Sequence, residues 1–326
     1  MTNINNNHLT NSKSDISSLM DFDAFICRAE GQSEKTIEFN NLAIGKLSQY
    51  LADNELPTDL REIGSREIRG FILCLTTAKR FSDHPYVNQQ ENCLSDHSVN
   101  SYLRTVRAAC NRWVSEGLLE KSPFQGVKLP RLSEKVTPPL SAEQLNALHH
   151  SVDYFSPQGP RDAALLAVLT DTISRVSEIS SLETANLNLQ SRHIKVYGKG
   201  RRERVIPFGT KTQKLIYKYV HFYRPSPSDP REDFVFLTHD GRPLTRNRIY
   251  AIVRKYAKKA GIDGIPCSPH SLRRSGCVRW IVNGRDIYSL QKMTGHKSLT
   301  VLKTYVDLSQ ADVKALHEKY SPMDNL

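Results

Sequence analysis

Apolar residues recur at helical spacing through roughly the first 115 positions, and the spacing turns mixed after residue 140. Asp21–Arg28 reads as a short amphipathic helix. Ser33–Leu51 reads as a longer one, with Ile37, Leu42, Ile44, Leu47 and Leu51 near one face. Ser65 is an expected N-cap ahead of Ile68 and the apolar run Ile72-Leu73. Ala78–Cys93 has no period and is expected to be a loop. The clearest pattern is Ser98–Val114: Val99, Leu103, Val106, Ala109, Cys110 and Trp113 form a buried stripe, with Arg104, Arg107 and Arg112 nearer solvent. Gly117 should end that helix.

The stretch 121–139 carries four prolines and few residues fit for burial, which marks a linker. Ser141 and Gln144 then offer a capping box for a new helix. Ile194-Lys195-Val196 alternates, Gly198-Lys199-Gly200 supplies a turn, and Glu203–Pro207 alternates again around Val205, a hairpin signal. Thr210–Tyr223 and Thr245–Ala260 read as helices, the second stopped by Gly261. Ser268-Pro269 is an N-cap followed by proline at the first helical position. The expected fold is mainly α, with a small antiparallel β-sheet confined to a mixed α+β C-terminal domain. The expected bounds are a flexible N-terminus at 1–15, a helical domain at 16–125, a linker at 126–139, the mixed domain at 140–308 and a tail at 309–326.

Composition adds one decisive fact. The net charge of +11 is unevenly placed: residues 1–135 hold 16 Lys+Arg against 17 Asp+Glu, and residues 136–326 hold 29 against 17. Positive charge gathered on one domain suits a polyanion, and binding should weaken with salt. The six cysteines, Cys27, Cys74, Cys93, Cys110, Cys267 and Cys277, show no C-x-x-C spacing, so neither a zinc site nor a disulfide framework is expected. The polar, Asn-rich N-terminus has no apolar signal region, and no apolar run is long enough for a bilayer. A cytoplasmic, nucleoid-associated protein with no membrane partner is the expectation.

The candidate chemistry lies near the C-terminus. His270 and Arg273 stand one turn apart on the same helix face. His296 follows 26 residues after His270, and Tyr305 nine residues later. A phenol is a poor nucleophile at neutral pH, so a tyrosine surrounded by cationic and polar groups makes sense where a phosphotyrosine ester is formed and later reversed. That points to cutting and rejoining of DNA strands.

Residues 140–310 resemble the tyrosine recombinase (phage integrase) family. The resemblance rests on His270-Ser271-Leu272-Arg273, Gly295-His296 and Tyr305. It also rests on Arg175-Val176-Ser177-Glu178-Ile179 and on Gly198-Lys199-Gly200-Arg201-Arg202-Glu203-Arg204-Val205-Ile206-Pro207, all in order. It implies that Tyr305 attacks phosphorus to leave a 3′-phosphotyrosyl bond, while Arg175 and Arg273 hold the non-bridging oxygens through paired hydrogen bonds. Lys199 would be the general acid for the leaving 5′-oxygen. His270 would exchange a proton or donate to the phosphate, His296 would position it, and Glu178 would orient an arginine or histidine. Neither metal nor cofactor, including ATP, is implied. The first domain matches more loosely, through Ser33-x-x-Thr36 and the exit S-P-F-x-G-V-K-L-P, and resembles the family's helical (SAM-like) core-binding domain. The two domains would form a C-shaped clamp, with Arg104, Arg107, Arg201, Arg202 and Arg274 among the DNA contacts.

Two departures stand out. Ile173-Ser174 precedes Arg175 where the family commonly has a Gly-Leu pair, and Arg274 follows Arg273 where it usually has histidine. The amphipathic stretch Ser309–Tyr320, with Val313 and Leu316, is expected to dock into a neighbouring subunit and join four protomers around two duplexes. The short N-terminus favours double-stranded core sites with inverted repeats, and integration or excision of a mobile element is the expected role. The alternatives are a type IB topoisomerase-like enzyme with the same chemistry, or a non-catalytic DNA-binding regulator on the same fold.

Overall fold

The computed structural model describes residues 15–79, 91–130, 137–198, 203–296 and 298–309, with residues 317, 321 and 323. The chain divides into two compact units, Met1–Lys135 and Val136–Leu326.

In the first unit four helices pack around one core: α1 (Ile16–Ala29), α2 (Glu34–Asp53), α3 (Ser65–Thr77) and α4 (Asp96–Ser115). Asp15, Ser33 and Ser95 cap α1, α2 and α4 through their side chains. Ile44, Leu47 and Leu51 of α2 meet Phe71 of α3 and Leu103, Val106 and Trp113 of α4. The expected stripe of α4 is buried throughout, and the chain turns away at Gly117, whose φ of +73° suits glycine.

Three expectations need correction here, those for Leu42, Ser65 and Arg112. Leu42 lies off the buried face of α2 and is half exposed, and Leu73 faces solvent on α3. The N-cap of α3 is Gly64, not Ser65: Gly64 N–H donates to Glu67 Oε2 at 2.9 Å, so the acidic residue closes the turn. Arg112 was expected nearer solvent, yet its guanidinium donates to both oxygens of Asp23, which is fully buried, at 2.7–2.9 Å. A carboxylate sequestered on α1 recruits the nearest arginine of the facing helix, because an unpaired buried charge would be prohibitive. Of the 78–93 loop, residues 80–90 lie outside the described residues; its flanks pair through a bridge between Lys79 and Cys93.

The second unit is built around α6 (Gly159–Asp171), in which every residue up to Leu169 is buried. Such a helix has no polar stripe, which is why no amphipathic period announces it. Around it lie α5 (Ala142–His150), the short α7 (Val176–Ser180), α8 (Thr210–Phe222), α9 (Arg246–Lys259), α10 (Pro269–Val282), α11 (Ile287–Thr294) and α12 (Thr300–Ser309). The capping box at α5 is present: Gln144 N–H donates to Ser141 Oγ, and Ser141 N–H to Gln144 Oε1. A three-stranded antiparallel sheet runs β1 (Leu187–Asn188), β2 (His193–Tyr197), β3 (Glu203–Pro207), with Ile194 opposite Ile206 and Tyr197 opposite Glu203. The molecule is thus mainly helical with one small antiparallel sheet.

The hairpin expected from the alternation around Val205 is present, with β2 and β3 paired antiparallel. Val205 points outward, and Arg204 shares the inward side with the buried Ile206. This register places a cation on the inner side of the sheet. Among the described residues no helix is long and apolar enough to cross a membrane.

Candidate active site

The site grows from the N-terminal turns of α7 and α10 and from the α11–α12 corner. Ser268 Oγ accepts from Ser271 N–H at 3.2 Å and Pro269 opens α10, so the helix starts where the sequence demands. One turn in, Arg273 is buried. Its Nη1 donates to the carbonyl of Ile173 at 2.6 Å, and its Nη2 donates to the carbonyl of Thr294 at 2.9 Å and to His296 Nε2 at 3.4 Å. Burial, then the charge of nearby Arg175, pulls the Arg273 pKa down from its ordinary value.

Arg175 is the N-cap of α7. Its backbone N–H donates to Glu178 Oε2 at 2.8 Å and its Nη1 to Glu178 Oε1 at 3.0 Å. Glu178 is itself buried and also accepts from Arg204 Nη2 at 2.7 Å. Burial alone would raise its pKa; the bonds from Arg204 and from the Arg175 backbone outweigh burial and hold the carboxyl below the ordinary 4.5. Arg204 Nε donates to the carbonyl of Met293 at 2.9 Å, which ties β3 to α11. Arg204 belongs to the Gly198–Pro207 motif, which by itself implies no role for it. A charged residue in register with an inward-facing isoleucine was the signal that would have found it.

Gly295, at φ +68°, ends α11 and turns the chain toward His296. A Cβ there would stand 3.2 Å from Arg204 Nη1, so glycine also leaves room for the guanidinium. His296 Nδ1 lies 3.0 Å from Thr294 Oγ1. Because Nε2 accepts from Arg273, the proton sits on Nδ1 and is donated to Thr294 Oγ1, whose own hydrogen goes to the carbonyl of Leu290. Burial, then the Arg273, Arg175 and Arg204 charges, lowers the His296 pKa to about 4, so the ring is neutral at physiological pH.

The Tyr305 side chain is 8% exposed on α12, with its ring 6.3 Å from that of His296. Burial first, then Cys277, pushes its hydroxyl pKa up against the pull of Arg273, Arg274 and Arg175. His270 stands exposed on the first turn of α10, and partial burial of its ring, then Arg274 and Arg273, lowers its pKa. Arg274 is half-buried, with Nη1 donating to the carbonyl of Thr137. Arg104 and Arg107 are exposed on α4 in the other unit. Lys199, Arg201 and Arg202 lie outside the described residues.

The structure therefore brings Arg175, Glu178, Arg273, His296 and Tyr305 into one connected cluster, with His270 beside it and Arg204 added. Two forked cations, a neutral imidazole and a shielded phenol are suited to a phosphodiester and to a tyrosyl ester. Among the described residues, no group of three or more His, Cys, Asp or Glu side chains that could hold a metal ion comes together.

Such a site on a mainly helical unit with a small sheet defines a class of enzymes that break and rejoin DNA through a tyrosine. The chain belongs to the phage integrase family, whose model matches residues 139–312, and its members cleave and rejoin DNA as site-specific tyrosine recombinases. It is similar to tyrosine recombinase XerD of Listeria innocua, at 28% identity over 304 residues, covering 93% of this chain and 97% of the relative. It is 32% identical over 235 residues to XerD of Xanthomonas campestris, covering 70% and 72%. The fold is similar to that of XerH recombinase bound to palindromic difH substrate (TM-score 0.69, 19% identity, 95% and 85% covered). It is also similar to a lambda integrase dimer bound to a COC′ core site (TM-score 0.68, 17% identity, 89% and 94% covered).

Proposed function

We propose that Tyr305 is the nucleophile of a site-specific recombination reaction on inverted-repeat DNA core sites. Its oxygen forms a bond to phosphorus, the bond to the 5′-oxygen breaks, and a 3′-phosphotyrosyl ester and a free 5′-hydroxyl result. The reaction reverses when another 5′-hydroxyl attacks the ester. Arg175 and Arg273 hold the non-bridging oxygens, and Lys199 protonates the departing oxygen. His270, neutral at physiological pH, accepts the phenolic proton. His296 positions Arg273 and the phosphate, and Glu178 orients Arg175. The observation that carries this reading is the convergence of four separate segments: Arg175 bonded to Glu178, Arg273 bonded to His296, the His296 ring beside that of Tyr305, and the Arg175 charge close enough to lower the Arg273 pKa.

DNA affinity comes from the basic second unit, with Arg201, Arg202 and Arg274 among its phosphate contacts, and from Arg104 and Arg107 of the first unit. Residues 309–326 join protomers into a tetrameric synapse. The enzyme works in the cytoplasm on its host's DNA. Integration or excision of a mobile element is the role we assign, on the divergence of the first domain from the family pattern.

Covalent trapping tests the chemistry. Wild-type and Tyr305→Phe protein are mixed with nicked DNA fragments flanking the gene and run on denaturing gels. A wild-type-only adduct at one position is expected. Relaxation of plasmids lacking any such position would favour the topoisomerase-like alternative; band shifts without an adduct on any fragment would overturn catalysis in favour of a DNA-binding regulator. Adduct formation only at a chromosomal site remote from the gene would refute the mobile-element role alone.

A further inference from the structure

Ile173 stands in the left-handed region at φ +55°, a conformation that branched side chains strongly avoid. It is not a frayed loop residue: its side chain is 2% exposed, and both neighbours, Thr172 and Ser174, are buried, with their hydroxyls paired 2.9 Å apart. Strain of this kind persists only where surrounding structure over-determines it, and it gathers at working sites. Here the conformation has a visible product: it aims the Ile173 carbonyl at Arg273 Nη1, 2.6 Å away, two residues before Arg175.

What holds the turn is on α10. Gly276 lies three residues after Arg273, and a Cβ placed there would come 2.9 Å from Ile173 Cγ1 and 3.1 Å from the carbonyl of Thr170. The isoleucine side chain thus seats in the notch that this glycine leaves. Behind them both residues line a cavity of about 650 Å³, together with His149, Thr170 and Trp280. Without the isoleucine side chain the 172–175 turn has room to sink toward that space and carry its carbonyl off Arg273.

We infer that Ile173 is a positioning residue for the cleavage step, and that Gly276 is its matched seat. The pair locks the turn that sets both Arg273, through a carbonyl, and Arg175, through the chain. A glycine at 173 would reach the same φ at no cost but would leave the turn unfastened, so the bulky residue contributes rigidity and not conformational access. This inference rests on the assignment of Arg273 to the phosphate.

The experiment is single-turnover cleavage of a nicked core-site duplex at saturating protein, with half-site affinity from gel shifts and thermal midpoints alongside. Ile173→Gly should cleave about tenfold or more slowly at unchanged affinity. Gly276→Ala should also slow cleavage, because its methyl displaces the isoleucine. The double variant, in which the new methyl refills the vacated notch, should recover much of the rate, giving a coupling between the two positions. Cleavage by Ile173→Gly at the wild-type rate would overturn the inference, as would additive losses in the double variant. A purely structural role would lower the thermal midpoint and leave the rate of folded protein unchanged, which also overturns it. Failure of wild-type protein to form the Tyr305 adduct would refute the underlying reading instead, and the two failures are distinct.

Discussion

Replacing Glu178 by glutamine changes one atom in a site where every carboxylate oxygen is used. Oε1 accepts from Arg175 Nη1, and Oε2 accepts from the Arg175 N–H and from Arg204 Nη2. The amide keeps one acceptor. Its better orientation leaves the oxygen facing Arg204 and the Arg175 backbone, so the amide nitrogen confronts Arg175 Nη1, donor against donor. Removing one partner of a buried ion pair costs about 3–5 kcal/mol. The Arg175 arm deserves a discount because that side chain is 39% exposed, and an exposed pair is worth about 0–1 kcal/mol. The Arg204 arm keeps a neutral hydrogen bond. The expected loss is therefore about 2–3 kcal/mol, a fall of roughly 5–10 °C in midpoint for a unit of this size. The signature is in the pH dependence. The native carboxyl titrates below 4.5, so between that value and its folded pKa the unfolded chain binds more protons. Its contribution is complete above about pH 4.5 and is lost as pH falls through the folded pKa. Thermal melts of wild type and Glu178→Gln should differ at pH 7, and the gap should begin to narrow only as pH falls below about 4.5. Equal midpoints at pH 7, or a gap that does not narrow in acid, would refute the reasoning.

The neutral His296 gives a second pH effect of the same sign. With a folded pKa of about 4 against an ordinary 6.5, its contribution is full above pH 6.5 and is lost as pH falls toward 4. His296→Asn should flatten the wild-type melting profile across that window, and an unaltered profile would contradict the lowered pKa. Arg204→Met should remove the bonds to Glu178 and Met293, lowering the midpoint by several degrees and slowing cleavage without weakening half-site binding in gel shifts. In the first unit, Asp23→Asn leaves Arg112 without its buried partner. It should cost about 3–5 kcal/mol by chemical denaturation of the full chain. A loss below 1 kcal/mol would mean that water already screens the pair.

Much of this site was written in the sequence because its chemistry is local. Ser268, Pro269, His270 and Arg273 form a helix start with fixed spacing, and Gly295 before His296 announces a turn. Residues that act through distant partners were harder to read. Asp23 and Arg112 are 89 positions apart, so the arginine looked like a surface residue on an otherwise well-predicted helix. The alternation on β3 was legible but not which side of it faces inward, so Arg204, the partner of Glu178 on α7, carried no signal of its own. The carbonyls of Ile173 and Thr294 carry no side-chain signature at all. The oddity at Ile173 was legible as a departure from the family pattern, whereas its left-handed backbone and its seat on Gly276 emerge only in three dimensions.

Three consecutive residues of α10 reach in three directions. Arg273 grips Ile173 and Thr294, Arg274 donates to the carbonyl of Thr137, and Ser275 Oγ accepts the N–H of Leu140. The stretch by which the chain enters the second unit is therefore riveted to the same helical turn that carries Arg273. A displacement of this turn large enough to break one of these bonds would strain the others with it. Thr137 and Leu140 are thus fastened to the very turn that carries Arg273, so a substitution at Arg274 or Ser275 would loosen the entry into the second unit and the Arg273 turn together.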